Sequence, residues 1–385
     1  MDIQKAFRAS PLLPAHKRFV PIYWRDHVYI DHVVPFGLAT AGGIQGVIAD
    51  AVVDILAAFD IEPTFKWVDD FLFVREPIPL GPNSEGDHTL QYPFTIDDIR
   101  RCTAPLGIPW HDLDSKGQDF SFNVEYVGFD WDLLNRVVKL PERKRLRYFT
   151  RLLSFISNLK AQLVPAMKLL GTLQHITFVF ILGRAYLPAL ARFISKFNGN
   201  RFIYRFVDRA VLRDLTWWRQ ILSHPNISRS LLPRSFVDRD VWVDASTSWG
   251  IGLWISGCWA AWRLRPGWSD QNRDIGWLET IAVEIAAMWL ATQDIHDAHA
   301  RIYSDNTGVI GALLKGRSRN AARNDSIKRI SHLLAPLNIS LDPCYVASAD
   351  NKSDPISRGE LGPSNMRLQI AFSLPRDLQP FLDYV

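Results

Sequence analysis

Cysteine is scarce: Cys102, Cys258 and Cys344 are odd in number, far apart and outside any CxxC pair. That excludes a disulfide framework and a thiolate zinc site, and it fits a reducing compartment. The opening MDIQKAFRAS has no apolar core of signal-peptide length. Long hydrophobic runs are also lacking. The most apolar one, ITFVFILG at 176–183, lies between His175 and Arg184 and falls well short of the ~20 residues a membrane-spanning helix needs. The expected setting is intracellular, cytoplasmic or nuclear, with no membrane anchor. Internal repeats and low-complexity tracts are missing too. Acid is rare in one place. Between Leu133 and Ser235, 19 Lys and Arg meet only Glu142, Asp208 and Asp214, a local balance of +16 in a chain of net +4, so the remainder carries −12. A basic block beside acidic flanks implies a surface for a polyanion next to sites that hold cations.

With 385 residues, 48% of them hydrophobic and 22% charged, the chain is globular and long enough for two or three domains. REPIPLGPNSEGDH, 75–88, reads as a surface loop. From Pro141 to about Leu222 the pattern is helical, with helices opening near Pro141, Pro165 and Pro188. SHPNISRSLLPRS, 223–235, is the linker candidate. Then come strand-like VWVDAS, GIGLWIS and WAAWRL, an amphipathic helix at 276–292, the strand ARIYSD, and further helix and strand. The fold class is α/β (α+β), with a mixed sheet and flanking helices in the last part.

Four acids stand out there. Asp244 sits on a predicted strand in VWVDAS and Asp305 ends another in RIYSDN. A carboxylate so placed must be hydrogen-bonded, ion-paired or metal-bound. On the helix, at about 100° per residue from Leu278, Glu279 falls inside the apolar arc and Glu284 on the far side. Glu279 is therefore aimed at the sheet and Glu284 is expected in solvent. Asp354 lies in SADNKSDPISRG, a turn leading into a short helix. Singly, each acid reads as a capping or ion-paired residue. The ordered set is far more specific.

VWVDAS, WLETIAVEIA, IYSDNTGVI and NKSDPISRG resemble the four acidic motifs of the ribonuclease H domain of retroelement polymerases. The resemblance assigns Asp244, Glu279, Asp305 and Asp354 to a site for two Mg²⁺, with Mn²⁺ able to substitute, that cuts RNA in RNA–DNA hybrids. Oxygen-only ligands suit these hard ions.

FKWVDDFLF, 65–73, reads as a strand whose Asp69 and Asp70 point to opposite faces, and it resembles the paired-aspartate hairpin tip of the reverse transcriptase palm. DIQKAFR resembles the first palm motif, giving Asp2 and Phe7; VPFGLATAGG, 34–43, the next; and EYVGFDWDL, 125–133, the primer-grip hairpin. In the family Asp2 and Asp69 would hold two Mg²⁺, Asp70 would sit behind them, and Phe7 would screen the incoming nucleotide against a 2′-OH. The basic block resembles the thumb and connection. The wording is most similar to retrotransposons of the DIRS type, over residues 1 to about 360. The implied domains are a partial palm at 1–132, a basic helical thumb, connection and linker at 133–235, a ribonuclease H-like domain at 236–360 and a tail at 361–385.

No fingers sequence precedes Asp2, which is therefore expected on a fraying terminus. The glycines in GLATAGGIQG should loosen the following helix by roughly 1 kcal/mol each. Together these lead to an expectation of ribonuclease H activity without DNA synthesis, on hybrid or template–primer partners. The alternatives are an inactive nucleic-acid-binding remnant or another nuclease of ribonuclease H-like fold.

Overall fold

A computed structural model describes residues 1–82, 88–270 and 273–385. It forms two compact units, Met1–Arg136 and Val137–Val385.

The first unit runs as the ribbon β1 (Pro21–Trp24) and β2 (His27–Ile30), helix α1 (Ala41–Ala57), the hairpin β3 (Thr64–Trp67) and β4 (Asp70–Phe73), the pair β5 (Ile78–Pro82) and β6 (His88–Gln91), helix α2 (Ile96–Thr103), and the hairpin β7 (Asn123–Tyr126) and β8 (Phe129–Asp132). Of the interval expected as a loop, 78–82 and 88 are strand, and 83–87 lie outside the described residues. Helix α1 runs through its glycines because Ala41, Gln45, Ala49, Val52 and Leu56, spaced three and four apart, bury one face. Thr95 and Asp98 close a capping box at the start of α2. Leu56, Ala49, Ile99 and Phe71 make the centre of this unit's core. FKWVDDFLF is two strands rather than one. Trp67 pairs with Asp70, and the turn between them places Val68 at φ 57°, a conformation costly for a β-branched side chain.

The second unit opens with β9 (Val137–Lys139) and helix α3 (Glu142–Ile156), followed by β10 (Lys160–Ala161), α4 (Leu163–Ile176), α5 (Pro188–Ser195), β11 (Arg205–Phe206) and α6 (Arg209–Ser223). These helices fall where the proline-led pattern put them. The expected linker instead carries β12 (Ser228–Ser230), antiparallel to β9, and leads to β13 (Ser235–Val237). Helical block and sheet thus belong to one unit.

Strands β14 (Val241–Ala245), β15 (Gly250–Ile255) and β16 (Cys258–Leu264) form an antiparallel meander. Helix α7 (Ile275–Leu290) then returns the chain to β17 (Ala298–Ser304), parallel to β14. Helices α8 (Thr307–Lys315) and α9 (Ala321–Leu334) precede β18 (Ser340–Tyr345), parallel to β17, and the short α10 (Asp354–Ser357) follows. Because β18 occupies one edge of β17, both β13 and β14 lie along the other. Residues 361–385 are not a free tail: β19 (Leu382–Tyr384) extends the sheet beyond β16, and Leu378 and Leu382 enter the core. Burying those leucines, at roughly 1.5–3 kcal/mol each, outweighs leaving the segment in solvent.

Helix α7 is buried nearly all round, from Gly276 to Ala287 without a break. One face meets β14 and β15 and the other is covered by α9. This corrects the expectation for Glu284. It is 1% exposed, accepts from the Ser326 hydroxyl, and pairs with Arg329, whose Nη2 is 2.8 Å away. A helix with a second layer above it has no solvent face, so its far-side acid needs an internal cation.

Candidate metal centre

Asp244 on β14, Glu279 one turn into α7 and Asp305 just past β17 converge. Their carboxylate oxygens all lie within 4.8 Å of one another, and among the described residues they are the one group of three acids that does so. Asp244 and Glu279 are 4% and 5% exposed. The sheet sets this up: β14 and β17 are neighbours, in register at Trp242 and Tyr303, whose rings stack at 4.4 Å. Helix α7 starts at the Asp274 cap, which accepts from the Trp277 amide at 2.9 Å, and so aims Glu279 at the strand ends.

Among the described residues no cation pairs with any of the three. Burial, then the charges of Asp244 and Asp305, push the Glu279 carboxyl up to about 9, although the Asn306 side chain and the Ala245 amide act the other way. Its Oε2 is buried with no hydrogen-bond partner. Burial raises Asp244 to about 6, with Asp305 and Asp354 adding to the shift and the Ser357 hydroxyl opposing it. A buried carboxylate oxygen left unpartnered beside two more acids fits a divalent cation, and the all-oxygen donor set fits a hard one.

Two hydroxyls hold these carboxylates: Ser357 donates to Asp244 and Ser348 to Asp305. Sequence reading missed both. It also missed Asn351, whose Nδ2 reaches the Val243 carbonyl at 3.2 Å and so docks the loop before α10 on β14. A signal for that docking exists in GIGLWIS. A Cβ on Gly252 would lie 2.4 Å from the Ser357 nitrogen and 2.7 Å from the Ser353 carbonyl oxygen, so only glycine lets α10 approach the strand.

Asp354, the fourth expected ligand, stands outside the triad. Arg358 holds it with two hydrogen bonds of 2.9 Å, and its charge is felt at Asp244.

The palm-like acids are arranged otherwise. Residues 1–4 are not frayed: Ile3 N donates to the Asp69 carbonyl at 3.1 Å, Phe71 N to the Met1 carbonyl at 2.8 Å, and His111 N to the Asp2 carbonyl at 2.9 Å. Backbone on both sides clamps the segment. The register sets Asp2 against Asp70, while Asp69 occupies the turn. Burial, a hydrogen bond with Asp2 and the charges of Asp2 and Asp69 push Asp70 up to about 6, with Lys116 opposing. Asp2, 3% exposed, is met by the Lys116 ammonium, and His111 Nε2 lies 3.5 Å from its Oδ1. An internal cation therefore sits where the family resemblance would put an ion. Phe7, in the turn Ala6–Ala9, meets Phe36 edge-on at 5.8 Å.

No protein-family profile matches the chain, and no curated protein matches it. Solved structures do. A foamy viral protease-reverse transcriptase in complex with RNA/DNA hybrid matches with a TM-score of 0.42 and 15% identity, covering 97% of this chain and 46% of that one. A foamy viral protease-reverse transcriptase with double-stranded DNA gives 0.41 and 16%, over 89% and 56%. Another such complex gives 0.40 and 16%, over 90% and 66%. The chain thus spans about half to two thirds of the length of the proteins it matches. No helix among the described residues is long and apolar enough to cross a membrane.

Proposed function

We propose that the chain is a reverse transcriptase and ribonuclease H polypeptide of a DIRS-like retrotransposon, and that its second unit hydrolyses RNA in RNA–DNA hybrids. The observation that carries this reading is the convergence of Asp244, Glu279 and Asp305 with an unpartnered buried oxygen among them. The sheet order supports it: an antiparallel meander, a crossover helix bearing the inward glutamate, then two parallel strands with an acid after the first.

Two Mg²⁺ held there would supply an activated water and neutralise the leaving oxygen. The chain's own residues do the rest. Ser357 and Ser348 fix the rotamers of Asp244 and Asp305. Asp354 would complete the ligand set on release from Arg358. The basic helical block, 19 cations against three acids, grips phosphates. The first unit binds template and primer without synthesis, because the Lys116 ammonium already meets Asp2.

The test is cleavage of a labelled hybrid with Mg²⁺. RNA cuts leaving 5′-phosphates, abolished by Asp305→Asn with binding retained, are expected. Binding without cleavage by the wild-type protein would overturn the reading in favour of a non-catalytic nucleic-acid-binding protein. Primer extension on the same substrate should give no incorporation.

A further inference from the structure

Away from the carboxylates, the second unit holds an open cavity of about 640 Å³, walled by α6, α9 and the turn Ile181–Tyr186. That volume lies in the range of small-molecule sites. Helical spacing builds both walls. Asp214 and Trp217 stand three apart on α6, and Asp325, Lys328 and His332 follow at steps of three and four on α9, so each set shares one helix face. The turn supplies an aromatic surface. Tyr186, 8% exposed, lies parallel to Trp217 with ring centroids 3.6 Å apart, and the Lys328 ammonium stands 4.6 Å from the Tyr186 centroid. Asn324 ties α9 to the same turn, donating to the Ala185 carbonyl at 2.7 Å.

The charges of the walls are already answered. Lys328 pairs with Asp214 at 2.7 Å, Arg213 meets Asp325 at 3.8 Å, and Arg329 pairs with Glu284 and Asp377. Partial desolvation and then the Lys328 charge lower the pKa of His332, so its ring is neutral at pH 7. Burial, with the charges of Asp214 and Asp325 adding and Arg213 opposing, pushes Tyr186 up to about 12. The phenol therefore keeps its proton and donates to His332 Nε2. A neutral imidazole that accepts at Nε2 carries its hydrogen on Nδ1. That Nδ1–H has no acceptor among the described residues. An ion would find no uncompensated charge in this cavity. A neutral ring system bearing acceptor atoms finds aromatic surface and a donor without a partner.

We propose that this cavity binds an uncharged, fused-ring heteroaromatic small molecule, which packs beside the Tyr186–Trp217 pair and accepts a hydrogen bond from His332 Nδ1. One wall, α6, belongs to the helical block, and the other, α9, covers α7. A ligand touching both walls ties the helical block to the sheet's outer helix, and so raises the thermal midpoint of the second unit. The inference goes beyond the hydrolytic reading and does not depend on it.

The experiment titrates the full chain, in EDTA and without nucleic acid, into two uncharged fluorescent probes, riboflavin and its side-chain-free relative lumichrome, following quenching of the probe. Saturable one-to-one binding of at least one probe is expected, with a higher thermal midpoint in its presence. Trp217→Leu removes an aromatic wall and should weaken binding about tenfold. His332→Ala removes one donor and should weaken it about fivefold. His332 is exposed, so this variant carries the test if Trp217→Leu fails to fold, and circular dichroism checks both. FMN, riboflavin with a phosphate added, should bind no more tightly than riboflavin. No saturable binding of either probe overturns the proposal, as does unchanged affinity in folded His332→Ala. Binding of FMN tenfold tighter than riboflavin would make this a site for anions and overturn it too. None of these outcomes touches the hydrolytic reading, since neither hybrid nor metal is present.

Discussion

Each unit buries acidic side chains to a similar depth, yet the two treat them in opposite ways. In the first, Asp2 and Asp70 share a strand register and a lysine ammonium answers the charge. In the second, Asp244, Glu279 and Asp305 meet with no cation paired to them among the described residues; a buried carboxylate oxygen without a hydrogen-bond partner occurs in both units, Asp2 Oδ1 in the first and Glu279 Oε2 in the second. The contrast teaches that buried acids are not in themselves a metal site. The missing counter-charge leaves the second group able to hold a metal ion, whereas in the first the Lys116 ammonium already meets Asp2.

The comparison breaks most readily at Lys116. Lys116→Met should destabilise the first unit by about 1–3 kcal/mol, less than for a fully buried pair because the lysine side chain is half-exposed. It should also make that unit's thermal midpoint rise with Mn²⁺, a dependence the wild-type unit lacks. If Lys116→Met melts like the wild type with and without metal, Lys116 is not the counter-charge. Gly252→Ala comes next. Its Cβ would strike α10 and displace Ser357 from Asp244, costing about 1–3 kcal/mol and impairing hydrolysis together. Full activity at wild-type stability would mean that α10 does not position the ligand.

Glu279→Gln is the subtler change, and its sign separates a metal ligand from a structural residue. The folded Glu279 carboxyl keeps its proton up to about 9, against an ordinary 4.5 in the unfolded chain. The unfolded state therefore releases this proton first. Without metal, this group's contribution to stability is greatest below about pH 4.5 and declines as pH rises towards 9. Glu279→Gln should then raise the metal-free midpoint at pH 8, by ~2–4 °C per kcal/mol gained in a unit of this size, and abolish the further rise on adding Mg²⁺. A lower midpoint without metal would mark Glu279 as a stabilising structural acid. Least of all, Lys352→Ala should cost under about 1 kcal/mol, since its pair with Asp240 is half-exposed.

Much of the second unit was legible from pattern alone. VWVDAS, GIGLWIS and WAAWRL, three short strand-like runs at close spacing, announce the meander, and the helical wheel placed Glu279 inward. The same wheel failed for Glu284 because it cannot know that α9 lies over the other face. Residues 361–385 read as a tail because they follow the last acidic motif, yet Leu368, Ile370, Phe372 and Leu374 recur at every second position and pack against the core that Leu378 and Leu382 enter. Asp354 carried the right motif, but Arg358 four residues on, one helical turn away, takes it as a partner. In the first unit the family resemblance joined Asp69, not Asp70, to Asp2. The turn at Val68 leaves Asp69 at the hairpin tip and sets Asp70 opposite Asp2, and a one-residue step along a strand exchanges the faces. Lys116 has no motif around it, and only folding brings it to Asp2.

The central claim is that Asp244, Glu279 and Asp305 are completed by a divalent cation. Calorimetric titration of Mn²⁺ into the protein at pH 7, in two buffers of different ionisation enthalpy, tests it most directly. Because Glu279 is protonated there when metal-free, binding should expel about one proton, giving heats that differ between the buffers, and Glu279→Gln should remove both binding and proton release. Absence of binding, or binding of equal strength to Glu279→Gln, would contradict the account.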